Sequence, residues 1–401
     1  MDVNVSKAMF AEHTMSEDST EEFVAPNTQV STTPLAEWRF VLGIDGDVNA
    51  AGEIVEGGRP GNEALVEGRN AHSLKHLLGL KEAVEAKLTL AELVALRLYT
   101  GPMYMRYNAV LRGFYSRNLY TTTLHLIVSG LRKLCRITAP PPKNAEGGRE
   151  VFRGTGGMAL PPDFFHSDEQ GFAGGVEAAF MSTTTDRKVA MRYSGVGGGA
   201  ESEGGLRTVF LYLVGERSLG ADVSWLSQFE GEKEMLFGPM THMQMVGKPR
   251  VEEGGVSVIT VRPTVSQRSR TLEQVERGRC EGLLQLGASL VSDVRFCVRN
   301  HAVSELCKDL VERQGVAVTE EVEGRDASAY NDNVTYRDTV LRLIDVSEEG
   351  RKAVAERVRE EGVGRRHRGD REGALEHLRK AIAVTEELCA NDRARMDRLA
   401  G

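Results

Sequence analysis

The stretch Ala178-Ala179-Phe180-Met181-Ser182-Thr183-Thr184-Thr185-Asp186-Arg187 passes from apolar residues through four hydroxyls to charge. Its first half reads as a strand ending at Ser182. Thr184, Thr185 or Asp186 then offers a side-chain oxygen to the free amides of a helix over 187–193. Similar runs of aliphatic and aromatic residues recur at 150–153, 208–214, 234–237 and 256–261, separated by glycine-rich turns, so a compact sheet is predicted across 149–265. The glycines at 195, 197, 198, 199, 204 and 205 precede a strand and not a helix, which makes them a surface loop instead of a dinucleotide fingerprint.

On the amino-terminal side the period changes. Leu90, Leu93, Val94 and Leu98 recur at helical spacing, and helices are expected over 37–139. Pro140-Pro141-Pro142 and Gly147-Gly148 then break the pattern, because proline removes amide donors and glycine frees the backbone. Residues 1–36 are rich in Ser, Thr, Glu and Asp without an apolar period, so a disordered tail is expected there. Beyond the sheet, helical patterns return over 271–401, with Leu283, Leu284, Leu286, Leu290 and Val291 as one stripe. Within that region, residues 369–383 are similar to the second helix of a tetratricopeptide repeat. No copy follows at a 34-residue offset, so an amphipathic packing helix is the reading. The fold class is α+β: a helical part (37–139) and a β part (149–265) forming one domain, then a helical carboxy-terminal region (271–401).

Composition limits what such a fold does. With 50 Lys+Arg against 58 Asp+Glu the net charge is -8, which gives no global basic field for a phosphate backbone, and nucleic-acid binding is not expected. No apolar run approaches the ~18 residues of a membrane helix, and no secretory signal is legible, so a cytoplasmic location away from membranes is expected. Five scattered cysteines form neither a disulfide framework nor a metal motif. His125, His166, His242 and His301 lack ligand spacing, and no metal is expected.

Three features of the β part carry chemistry. Arg153, in Val151-Phe152-Arg153-Gly154-Thr155-Gly156, places a permanently charged fork beside glycines at 154, 156 and 157, where a ligand could come close to the backbone. Ser182, Thr183 and Thr184 form a hydroxyl run. Glu232-Lys233-Glu234 on a strand would put both carboxylates on one side and Lys233 on the other. Each has a bland alternative: a surface arginine, a helix cap, and a charged edge that discourages aggregation.

Taken together and in this order, the three resemble the signature of the arginine-specific mono-ADP-ribosyltransferase family: Arg, then Ser-Thr-Ser, then Glu-x-Glu. The flanks resemble it too, in Tyr99-Thr100-Gly101, Tyr104, Tyr107-Asn108, Leu111-Arg112, Gly175-Val176-Glu177 and Met235-Leu236-Phe237. The similarity spans roughly residues 85–265. Thr184 stands where the family has the second serine. The resemblance implies a helical subdomain packed on a two-sheet β core, with NAD as substrate. It also implies transfer of ADP-ribose to an arginine of a protein acceptor.

On that resemblance Arg153 and Gly154 meet the diphosphate of NAD, Ser182 orients Glu234, and Glu234 stabilises an oxocarbenium-like cation. Glu232 binds and deprotonates the guanidinium, whose pKa above ~12 otherwise makes it a poor nucleophile. Trp225 or Phe229, in the segment before the pair, either stacks on that guanidinium or packs into the core. An NAD glycohydrolase using the same residues and a non-enzymatic scaffold are the alternatives. The carboxy-terminal helices are a candidate surface for a protein partner.

Overall fold

A computed structural model describes residues 3–25, 31–43, 46–49, 53–58, 68–114, 119–144, 149–156, 160–169, 171–195, 207–215, 218–252, 255–265 and 270–400, with side chains between 5 and 386. The chain divides into two compact units, Met1–Leu272 and Glu273–Gly401.

The first unit begins with α1 (Val3–Thr14), α2 (Pro34–Leu42), α3 (Leu74–Leu78), α4 (Lys81–Ala86), α5 (Leu90–Leu98), α6 (Tyr104–Leu111) and α7 (Thr121–Cys135). Two small hairpins, β1 (Phe23–Val24) with β2 (Ser31–Thr32) and β3 (Asp47–Val48) with β4 (Ile54–Val55), lie among them. The helix α5 starts at a capping box: Thr89 Oγ1 accepts from Glu92 N at 3.2 Å, and Glu92 Oε2 accepts from Thr89 N at 2.8 Å. Residues 91–98 are all buried, charged ones included. Glu92 is matched by Lys133 Nζ at 2.7 Å and Ser129 Oγ at 2.5 Å, the pairing a buried carboxylate requires.

The order found in residues 3–25 and 31–36 corrects the disordered tail expected there. Met9 and His13 on α1 are fully buried. His13 bonds Met9 O and the Tyr107 hydroxyl at 2.7 Å each and stacks on Trp38. Glu12 accepts from Thr122 N at 2.7 Å and Thr123 N at 3.1 Å, at the start of α7. Long-range polar contacts and a few apolar anchors hold the segment, and neither leaves a hydropathy period to read.

Among the described residues nine strands follow: β5 (Glu150–Gly156), β6 (Gly174–Glu177), β7 (Met181–Thr184), β8 (Arg207–Leu213), β9 (Ala221–Asp222), β10 (Glu234–Phe237), β11 (Thr241–Met245), β12 (Arg250–Glu252) and β13 (Val256–Thr264), with α8 (Arg187–Tyr193) after β7. They hydrogen-bond in the order β6-β11-β13-β8-β5-β7-β10-β9, and β12 joins β13. The strand β5 pairs with β8 along its whole length, from Glu150 to Gly156, but with β7 only at Phe152↔Thr184. That single pair is the narrow link in one continuous nine-stranded sheet. Along β10 the pleat alternates: Met235 and Phe237 enter the core between the strands, while Leu236 joins the core of the helical half. Glu234, two residues before Leu236, therefore faces the helices.

The second unit is helical, from α9 (Leu272–Asn300) through α10 (Ser304–Glu323) and α11 (Asn333–His367) to α12 (Arg371–Ala400). Leu283, Leu290 and Val291 of the expected stripe are buried, and Val318, Leu343, Val358 and Val384 join them in one core. The segment 369–383 provides the turn and the start of α12, whose Ala374 and Ala381 are buried. Among the described residues no helix is long and apolar enough to cross a membrane. Of the expected glycine loop, only Gly195 lies within the described residues.

Candidate active site

Glu234 opens β10, which pairs with β7 beside the narrow β5–β7 link. The register sets it opposite Thr184 and sets Ser182 opposite Leu236, so the Ser182 hydroxyl lies diagonal to the carboxylate, on the same face of the sheet. Glu234 is 5% exposed. Burial raises its pKa from the ordinary carboxylate value to about 7. The Ser182 hydroxyl opposes that rise, the Glu232 charge adds to it, and Arg153 opposes it.

Glu232 lies off the strand, which corrects the expected alternation through Glu232-Lys233-Glu234. It ends a single 3₁₀ turn (Glu230–Glu232), and Lys233 then adopts a left-handed conformation with φ 46°. The left-handed residue reverses the chain, and it rather than the pleat brings Glu232 to the same cleft as Glu234. The third hydroxyl of the run holds this turn: Thr184 Oγ1 donates to Glu232 O at 2.6 Å and accepts from Asp186 N at 3.0 Å. Asp186 caps α8 through Lys188 N, one of the three caps the sequence offered. The Glu232 carboxylate accepts a hydrogen bond from the Tyr193 hydroxyl at the end of α8. Burial raises its pKa, while that bond and the Arg192 charge oppose the rise.

Arg153 lines the cleft from within β5, not from the strand's end. Its Nη1 donates to Ser182 O at 3.3 Å. Among the described residues it has no carboxylate within ion-pair distance, so most of its five donors remain for an anion. Gly154 lines the cleft and also answers to a packing constraint. A Cβ there would meet Ala190 O at 2.0 Å and Ser194 N at 2.6 Å, so this glycine is what lets the α8 backbone lie directly on β5. Gly157 lies outside the described residues.

The flanking segments buttress these side chains. Asn108 on α6 accepts from Phe180 N at 3.1 Å and donates to the Tyr99 hydroxyl at 3.3 Å, fixing the entry to β7. Arg112 holds Glu177 through two bonds of 3.1 Å. Arg97 donates to Leu226 O at 2.7 Å, and Arg69 Nε donates to Gln228 Oε1 at 2.6 Å, so the turn before Glu232 is tied to the helices. A Cβ on Gly101 would meet the Gln228 side chain at 2.2 Å. Trp225 packs against the helical core with its indole N–H on Asp222 O at 3.2 Å, the packing alternative of the two offered for it. Phe229 is half-buried, and neither ring lines the cleft that holds the two glutamates.

Tyr99, Tyr104 and Tyr193 complete the cleft around Arg153, Ser182, Glu232 and Glu234, enclosing about 190 Å³. The cleft thus combines a cation with no carboxylate at ion-pair distance among the described residues, two carboxylates of raised pKa and a hydroxyl that lowers the pKa of one of them. Residues 69–263 match the model of a family described as NAD:arginine ADP-ribosyltransferase. They belong to that family. The family uses NAD as its substrate.

Comparison with curated protein sequences returns no match. Among solved structures, the domain is similar to the Vis toxin, an ADP-ribosyltransferase from Vibrio splendidus, at 21% identity over 49% of this chain and 82% of that one, with TM-score 0.34. It is also similar to the ADP-ribosyltransferase HopU1 of Pseudomonas syringae pv. tomato, at 18% identity over 57% and 95%, with TM-score 0.36. Among the described residues no three His, Cys, Asp or Glu side chains gather as metal ligands would.

Sequence reasoning singled out Arg153, Gly154, Ser182, Glu232 and Glu234, and the fold brings all five to one cleft. It passed over Tyr193, which it saw only as the end of a short helix. The bond from Tyr193 to Glu232 spans 39 residues and leaves no local signal.

Proposed function

We propose that the domain transfers ADP-ribose from NAD to arginine side chains of a protein acceptor and releases nicotinamide. The observation that carries this reading is the convergence of two carboxylates held in different ways, Glu234 on a strand and Glu232 on a turn, in one cleft with Arg153. Arg153 binds the diphosphate through the donors it does not spend on Ser182 O. Ser182 holds Glu234, and Glu234 in its ionised form stabilises positive charge on the ribose as the bond to nicotinamide breaks and its electron pair leaves with the base. Glu232 binds the acceptor guanidinium. One guanidinium nitrogen forms the new bond to the ribose carbon, and its proton passes to the Glu232 carboxylate. The protein partner and the cytoplasmic setting belong to the same reading.

The test is to incubate the protein with NAD labelled in its adenosine half, together with agmatine or a mixed protein acceptor. Label recovered on agmatine, or released from protein by arginine-directed chemistry, supports the assignment. Nicotinamide release with all label free in solution would assign the cleft to NAD hydrolysis. No consumption of NAD would leave the domain as a scaffold.

A further inference from the structure

We infer that Tyr193 is a positioning residue for acceptor transfer, holding the Glu232 carboxylate in the orientation that receives a guanidinium. The inference rests on the reading of Glu232 given above. Glu232 stands on one turn of 3₁₀ helix after an exposed glycine, Gly231, and before the left-handed Lys233, so its backbone gives the side chain little support from neighbours. Its carboxylate needs a partner from elsewhere in the chain. The Tyr193 hydroxyl is that partner, and both side chains line the cleft.

The end of α8 is suited to the task. Gly154 seats the helix on β5 at Ala190 and Ser194, the residues that bracket Tyr193, and Ser194 Oγ donates back to Met191 O at 2.7 Å. At the other end of the helix Asp186 caps the first turn. Thr184 bonds both Asp186 N and Glu232 O, so the helix carrying Tyr193 and the turn carrying Glu232 are anchored to the same side chain. A tyrosine on a fixed helix supplies one directed hydrogen bond at little entropic cost, which a long flexible side chain would not. Tyr193 is 40% exposed, so it meets what approaches Glu232 from solvent.

The charged and titratable groups facing Glu232 are Arg192 and Tyr193 from α8, Tyr104 from α6, and Glu234 from β10. The tyrosine bond favours the ionised carboxylate. Losing it raises the Glu232 pKa further, and the acid limb of transfer moves to higher pH.

The experiment compares wild type with Tyr193→Phe, which keeps the ring, in labelled NAD with and without agmatine across pH 5–9. The expected result is a fall of about three- to tenfold in the ratio of transfer to hydrolysis, the span of one ordinary hydrogen bond. It should appear mainly as a raised KM for agmatine, with the acid limb displaced upward. Glu232→Gln/Tyr193→Phe should then lose no more transfer than Glu232→Gln alone. An unchanged ratio and pH profile beside normal wild-type transfer would overturn this inference alone, as would an equal loss of transfer and hydrolysis. If the wild type consumes NAD without labelling agmatine, the arginine reading itself fails and this inference falls with it.

Discussion

Glu232 and Glu234 are two residues apart, yet their positions obey different physics. Glu234 belongs to a strand: its place is set by pairing with β7 and by the cores that Met235, Leu236 and Phe237 fill on either side. Glu232 belongs to a turn whose shape depends on one left-handed residue, one threonine bond and one tyrosine bond. The strand places a buried carboxylate beside Ser182. The turn offers a second carboxylate at the rim, half-buried and reachable from outside. On the proposed function the chemistry divides in the same way: breaking the bond to nicotinamide falls to the strand position, and the choice of acceptor to the turn.

The largest expected effect removes the strand carboxylate. Glu234→Gln is isosteric, and it should lower both transfer and hydrolysis by about 10²–10³-fold in kcat, because it withdraws charge where the transition state becomes positive. Nicotinamide release measured with and without agmatine checks it. A loss confined to transfer would dissolve the contrast between the two positions.

The same substitution should sharpen the contrast in stability. A carboxyl whose folded pKa is raised above its unfolded value stabilises the fold at low pH, and that contribution disappears as pH rises through the folded pKa, here from about 4.5 to about 7. Above that window the native protein holds an ionised carboxylate it would rather protonate. Glu234→Gln should therefore be more stable than wild type at pH 8 by about 2–3 kcal/mol and show little gain at pH 4. Denaturant unfolding at the two pH values measures the difference. An equal effect at both would mean that the carboxylate is solvated. The smallest effect concerns the turn: Lys233→Gly relieves a left-handed residue and should raise stability by about 0.5–1 kcal/mol, read as a small rise in melting temperature.

The contrast also explains how much of the site was legible. Arg153, the hydroxyl run and the strand of Glu234 stood out because strands leave a local record of alternating apolar residues bounded by glycine. The helix cap at Asp186 was legible for the same reason, being a bond over two residues. Glu232 was identified as a site residue but placed on a strand, since nothing in Glu-Lys-Glu announces a lysine with positive φ. The Gly154 constraint and the Tyr193 bond were hidden because each joins α8 to a segment distant in sequence. The helix α1 was hidden likewise: its burial rests on His13 and Glu12 meeting residues beyond position 30.

The division of labour between the two glutamates is tested most directly by Glu232→Gln, assayed with labelled NAD and agmatine. The account predicts that label on agmatine falls at least about tenfold while hydrolysis of NAD to free ADP-ribose continues, since the amide keeps the shape but can neither pair with the guanidinium nor take its proton. Transfer and hydrolysis falling together, or label on agmatine persisting at the wild-type level, would contradict it.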